Sequence, residues 1–160
     1  MDADDDIRAI ERLKATYCRT LDTKQWDDFR ALFAPEFVSD TSASGGALIE
    51  GADSFVAFVR RALGKAVTVH QVQQPEITVC PSAKAFGVWA MQDVVRFVPG
   101  VTLHGFGHYH ETYVKIDGQW RIESSKLTRL REEIRTPIFT FFVSDRIRRL
   151  LQRATRRLST

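Results

Sequence analysis

Hydrophobic periodicity changes once along this 160-residue chain, at Gly64, and that change limits the fold more than any single motif does. Before it, apolar residues recur every three or four positions; after it, they recur every second. Ile7, Ile10, Leu13, Tyr17 and Leu21 predict a helix over 5–21. Trp26, Phe29, Leu32 and Phe33 predict a shorter one over 24–34, stopped by Pro35. Phe37 and Val38 begin a short strand, and TSASGG at 41–46 reads as a loop or hairpin turn. Phe55, Val56, Val59 and Leu63 predict a third helix over 52–63 with Gly64 as its stop. Strands are then expected at 66–73, 76–80, 84–98, 102–116 and 119–130, with PG at 99–100 and DG at 117–118 as hairpin turns. A helical half followed by long adjacent antiparallel strands implies an α+β layer, a curved sheet wrapped against helices.

No repeat or linker divides the chain. Residues 1–135 are expected to form one domain, and 136–160 a C-terminal extension. In that extension TPIFTFFV (136–143) is apolar and extended in character. Residues 144–158 place Ile147, Leu150, Leu151, Ala154 and Leu158 on one stripe of a basic amphipathic helix. Such a helix is expected to dock on its own domain or on a neighbouring subunit.

Charge and composition exclude several functions. The net charge of +3 is uneven: residues 146–160 hold six arginines, leaving about −3 for the rest. The pI of 9.1 thus describes a tail, and no nucleic-acid partner is expected. No run approaches the ~18 apolar residues of a membrane span, and Met1 is followed by DADDD, unlike a signal peptide. A cytoplasmic protein is expected. Cys18 and Cys80 have neither zinc nor C-x-x-C spacing and read as small core residues, not a disulfide.

Several polar residues break the bland pattern. Asp22 ends an apolar helical stripe, where a negative charge meets the negative pole of the helix. Asp22-Thr23-Lys24-Gln25 also matches a D-x-x-Q cap for the next helix, and the stretch alone favours that role. His70 lies in the strand TVHQVQQPEITV; it is either a bonded structural histidine or the chain's best proton carrier. Asp93 interrupts FGVWAMQDVVRF, sharing a face with Trp89, Met91, Val95 and Phe97; the opposite face is also apolar, so alternation leaves the inward side open. His104, His108 and His110 share one strand face, a weak metal signal that a solvated sheet face explains better, and no metal is expected. Arg129 closes the last strand, within reach of an inward carboxylate. No G-x-S-x-G, P-loop, G-x-G-x-x-G or H-E-x-x-H motif occurs, which leaves acid–base chemistry without a tightly bound cofactor as the enzymatic option.

Three segments carry a resemblance: YCRTLDTKQWDDFRALFAP, VHQVQQPEITV with FGVWAMQDVVRF, and HYHETYVKIDGQWRIESSKLTR. Over roughly residues 7–135 the chain resembles the SnoaL-like branch of the NTF2-like superfamily, whose members are α+β cones. In motif it is most similar to the bile acid 7α-dehydratases, and more distantly to the scytalone dehydratases. The bile acid family's tyrosine and aspartate fall on Tyr17 and Asp22, its histidine on His70, its strand aspartate on Asp93 and its arginine on Arg129. The scytalone pattern departs here: its tyrosine directly before the aspartate is Leu21, and its second strand histidine has no counterpart near Asp93.

The resemblance implies a cofactor-independent dehydratase acting on a hydrophobic, polycyclic or steroid-like hydroxy-carbonyl compound. Isomerisation, cyclisation or non-catalytic ligand binding in the same pocket are its alternatives. His70 would shuttle the proton, Asp22 orient it, and Tyr17 donate to a substrate oxygen. Asp93 would serve as second acid/base or polar anchor. Arg129 would hold an aspartate ionised or contact an acidic substrate group. Trp26, Phe55, Phe58, Trp89, Met91, Phe97 and Tyr109 would line the pocket. Related families assemble through the outer sheet face, so a homo-dimer or trimer is expected.

Overall fold

A computed structural model describes residues 3–144. Helix α1 (Ala3–Asp22) opens with Asp4, Asp5 and Asp6, which complement the positive end of its dipole, and buries Ile10, Leu13, Lys14, Tyr17, Thr20 and Leu21 on one stripe. Helix α2 (Trp26–Arg30) is five residues, not the predicted eleven. Lys24 at φ 61° turns the chain sharply. Past α2, the Leu32 carbonyl already accepts the Ile122 N–H at 2.9 Å, drawing Leu32 and Phe33 into the sheet.

Strand β1 (Phe33–Asp40) therefore starts before Pro35. It runs parallel to the last long strand, with a register shift between Phe33 and Val38. Pro35, lacking an N–H, sits in that irregularity rather than at a helix stop. A 3-10 turn (Ser42–Ser44) leads to β2 (Leu48–Glu50), antiparallel to β1. Helix α3 (Ala52–Leu63) follows Gly51, whose φ of 85° only glycine adopts freely.

The sheet half is built from β3 (Val67–Cys80), β4 (Lys84–Val98), β5 (Val101–Ile116) and β6 (Gln119–Arg135). The two strands expected at 66–73 and 76–80 are one strand, bent by a register shift between Gln73 and Glu76 where Gln74 has φ 49°. Strand β6 extends to Arg135 because β7 (Thr140–Phe142) folds back onto residues 133–135. Asp117 and Gly118 both have positive φ, as a tight hairpin turn with the strands' own twist requires. Among the described residues the sheet order is β2-β1-β6-β5-β4-β3, with β7 beside β6 and only the β1–β6 pair parallel. The α+β expectation holds.

The helices cover one face of this sheet. Trp89, Met91, Asp93 and Val95 of β4 and Tyr109, Glu111 and Tyr113 of β5 are buried beneath them, which answers the question of facing that alternation left open. Tyr17, Phe29, Phe33, Phe37 and Phe55 form a linked aromatic cluster, with centroid separations of 4.4–6.1 Å. The extension is part of the sheet as far as β7, although Ile138, Phe139, Phe141 and Phe142 remain exposed. The predicted amphipathic helix over 144–158 lies essentially outside the described residues. Among the described residues no helix is long and apolar enough to cross a membrane.

Candidate active site

The last residue of α1 and the fourth residue of β3 meet above the sheet. Asp22 Oδ1 is 2.7 Å from His70 Nδ1, and Asp22 Oδ2 accepts the His70 backbone N–H at 2.7 Å. Thr68 Oγ1 donates to Asp22 Oδ1 at 2.9 Å and accepts Lys24 Nζ at 2.7 Å. Three contacts thus fix one carboxylate, and Lys24 holds the Thr68 hydroxyl that makes one of them. The expected D-x-x-Q cap does not form: α2 is capped at Gln25, without a side-chain bond. The carboxylate has turned toward β3 because three β3 donors satisfy it better than one frayed helix end.

Burial pulls the Asp22 carboxyl up, but the His70 side chain, the His70 N–H and Thr68 outweigh it and hold the group below the usual range. An ionised Asp22 can only accept, so Nδ1 of His70 carries the proton and Nε2 is left for exchange. The linkage has a definite sign: a lowered folded value stabilises above the ordinary aspartate value near 4, and that contribution disappears as pH falls through the lowered one. The stability advantage of the native chain over Asp22→Asn is therefore expected to shrink below about pH 4, measured by urea denaturation across pH.

Asp93 stands directly opposite His70 in the β3–β4 register. Arg129 reaches it from β6 with two parallel bonds, Nη1 to Oδ1 at 2.9 Å and Nη2 to Oδ2 at 2.6 Å. Both side chains are under a tenth exposed, and Met91 Sδ lies 3.6 Å from Nη1. Burial would lower the guanidinium's value, but the Asp93 bonds and charge raise it, so Arg129 stays charged. Among the described residues its Nε has no hydrogen-bond partner, with Glu132 Oε1 at 3.8 Å.

Gly105, between Asp93 and Glu132 in the sheet register, makes this fork possible. A methyl group there would lie 1.9 Å from Arg129 Nη1 and 2.3 Å from Asp93 Oδ1. The guanidinium occupies the space a side chain would take. Gly105→Ala is expected to displace it and cost about 1–3 kcal/mol of stability, read by chemical denaturation.

A cavity of about 250 Å³ opens between these groups and α3. Tyr17, His70, Asp93, Tyr109 and Arg129 line it together with Phe55, Phe58 and Phe97. Asp22 stands behind His70. Burial drives both the Tyr17 and Tyr109 hydroxyls well above their ordinary value, so they are neutral donors.

Three expected lining residues sit elsewhere. Trp26 packs edge-on to Phe29 outside the cavity, because the short α2 points it away. Trp89 lies two alternate positions before Asp93 on β4 and turns its indole N–H to the Tyr113 hydroxyl at 2.7 Å. Met91 lies against the Arg129 guanidinium and supports the wall.

The three histidines of β5 form no metal centre with their neighbours: no group of three or more His, Cys, Asp or Glu among the described residues is placed to hold an ion. His108 and His110 lie with ring centroids 6.2 Å apart, and His110 is exposed. Cys18 and Cys80 are free thiols; burial raises Cys18 to about 11, which leaves it protonated near neutrality.

Sequence reasoning missed one polar set altogether. Lys14 and Glu111 are fully buried and joined at 2.6 Å beneath Tyr17 and Tyr109. The signal was present: Lys14 falls on the α1 stripe four residues after Ile10, and Glu111 alternates with Tyr109 and Tyr113.

Comparisons with known proteins agree with this architecture. The chain is 29% identical over 133 residues to the probable cyclase FGR4 of Gibberella zeae, covering 76% of this chain and 89% of that protein. A crystal structure provisionally named a scytalone dehydratase, from Novosphingobium aromaticivorans, superposes with a TM-score of 0.73 at 22% identity, covering 79% of this chain and 85% of that one. A type 2 hexachlorocyclohexane dehydrochlorinase (LinA) superposes with a TM-score of 0.70 at 12% identity, over 88% of this chain and 90% of that one. The profile of the SnoaL-like domain matches residues 3–126, and with its helices laid across a curved, mostly antiparallel sheet the chain belongs to that NTF2-like family.

Proposed function

We propose that the protein is a cofactor-independent lyase that eliminates water from a hydrophobic hydroxy-carbonyl compound. The observation that carries this is the Asp22–His70 pair, bonded at 2.7 Å, facing the cavity beside a forked Asp93–Arg129 pair. Elimination needs a base for the proton next to the carbonyl and an acid for the departing hydroxyl. His70 Nε2 takes the proton, and Asp22 stabilises the imidazolium that forms. Tyr17 and Tyr109 donate to the carbonyl oxygen as it gains enolate character. The imidazolium then returns its proton to the leaving hydroxyl, and water departs.

Size narrows the substrate. A cavity of about 250 Å³ falls just under the ~300–1,000 Å³ usual for drug-sized ligands. One or two fused rings fit inside it, whereas a four-ring steroid would protrude through the mouth. Ring closure is the second reading, favoured by the 29% identity to a probable cyclase, and it uses the same base and oxyanion donors.

The test is incubation of the purified protein with hydroxy-ketones of one to four rings, followed by mass analysis. Loss of water from a one- or two-ring substrate supports the dehydratase. Loss of water only on closing a new ring, or an isomer of unchanged mass, supports the second reading. Binding across the panel without any conversion would overturn both.

A further inference from the structure

The fully buried Lys14–Glu111 pair lies outside the chemistry above, yet it touches two of its parts. Lys14 Nζ donates to Glu111 Oε1 at 2.6 Å. It sits 4.0 Å from the ring centroid of Tyr17 and 3.9 Å from that of Tyr109, so one ammonium is held between two aromatic rings. Glu111 is fixed in turn: Ser125 Oγ donates to Oε1 at 2.9 Å, and the Tyr113 hydroxyl to Oε2 at 2.6 Å. Trp89 Nε1 completes the chain by donating to the Tyr113 oxygen at 2.7 Å. Residues from α1, β4, β5 and β6 thus converge on one ion pair.

The fold alone does not call for such a pair. Desolvating both charges costs as much as their attraction returns, and apolar residues of similar volume commonly serve a core as well or better. What an apolar pair would not do is hold the two rings by their faces. A methionine leaves each ring free to tilt about its side-chain torsions, whereas a cation attracts both faces to one point. The two clamped rings belong to residues that line the cavity.

We propose that Lys14, seated on Glu111, is a positioning residue that sets the Tyr17 and Tyr109 hydroxyls to donate together to one enol or phenol oxygen of a bound ring compound. This rests on the reading that both tyrosines face the ligand. The ligand class follows from the set: a planar, one- or two-ring molecule whose single oxygen accepts two neutral donors in an otherwise apolar pocket.

The experiment compares 2-naphthol with naphthalene, which share shape and differ by the hydroxyl. The readout is the ratio of their dissociation constants in the native chain, in Tyr17→Phe, in Tyr109→Phe, and in the charge-free double variant Lys14→Met/Glu111→Gln. Glutamine keeps an acceptor for Ser125 and Tyr113, so the double variant leaves no buried lone charge. The native chain is expected to prefer 2-naphthol, and each phenylalanine variant to lose most of that preference. The double variant is expected to bind naphthalene as the native chain does while its preference falls about tenfold, the size of one hydrogen bond to a well-placed donor. Should that variant not fold, Lys14→Gln/Glu111→Gln, which removes both charges but keeps two amides able to bond to each other, is expected to lower the preference several-fold. An undiminished preference in either folded charge-free variant would make the pair a core element only and overturn the proposal. If the phenylalanine variants also keep the preference, the reading of the tyrosines as ligand donors fails with it.

Discussion

Replacing His70 with alanine is expected to lower turnover by about 10²–10⁴-fold, the usual contribution of a placed acid–base group. The melting temperature should fall by only a few degrees, because Asp22 keeps its bonds from Thr68 and from the backbone N–H at position 70. His70 lines the cavity, and among the described residues its ring is tied to the rest of the chain by the Asp22 contact. Asp22→Asn should give a loss of similar order by a different route. An amide can donate as well as accept, so Nδ1 of His70 is no longer held as the protonated nitrogen, and the imidazolium loses its counter-charge. The substrate's KM should change little in either variant, because neither removes an apolar contact. Turnover within threefold of the native value in His70→Ala, measured by product formation on any converted substrate, would remove His70 from the chemistry.

Arg129→Met should destabilise the protein by about 3–5 kcal/mol, because it strands the Asp93 carboxylate in a site with under a tenth of its surface exposed. For a chain of this size that corresponds to a fall in Tm of roughly 6–20 °C. The paired replacement Asp93→Leu/Arg129→Met leaves no stranded charge and should recover most of the loss, while remaining inactive because the polar wall beside His70 is gone. Calorimetry of the three chains decides the matter. A single variant as stable as the native chain would mean that the fork is hydrated, and a double variant no better than the single would mean that the wall depends on the charges for its packing.

These expectations draw unequally on sequence and structure. The helical half, the three long strands after residue 80 and the hairpin turns were legible because each depends on local periodicity and turn chemistry. Where local pattern failed, a tertiary partner had intervened. Phe33 reads as helical by spacing, but sheet bonding at Leu32 and Ile122 captured it. Asp22 reads as a helix cap, yet three donors on β3 took its carboxylate. Trp89 and Met91 share the face of Asp93, as alternation requires, but a face is longer than a cavity, and only its far end opens.

The sequence by itself determined which residue types stand on which element. It placed an aspartate at the end of α1, a histidine and an aspartate on two strands without saying which strand face is inward, and an arginine near the end of β6. The resemblance of those positions to a family constellation told which ones to watch. Only the tertiary structure decided the pairings: Asp22 with His70, Asp93 with Arg129, Lys14 with Glu111. Pairing is long-range, spanning 36 to 97 residues here, and is set by sheet register and helix docking that local patterns do not encode. Gly105 shows the limit most plainly. In sequence it is one small residue in a strand; in the structure its missing side chain is the space in which the guanidinium lies.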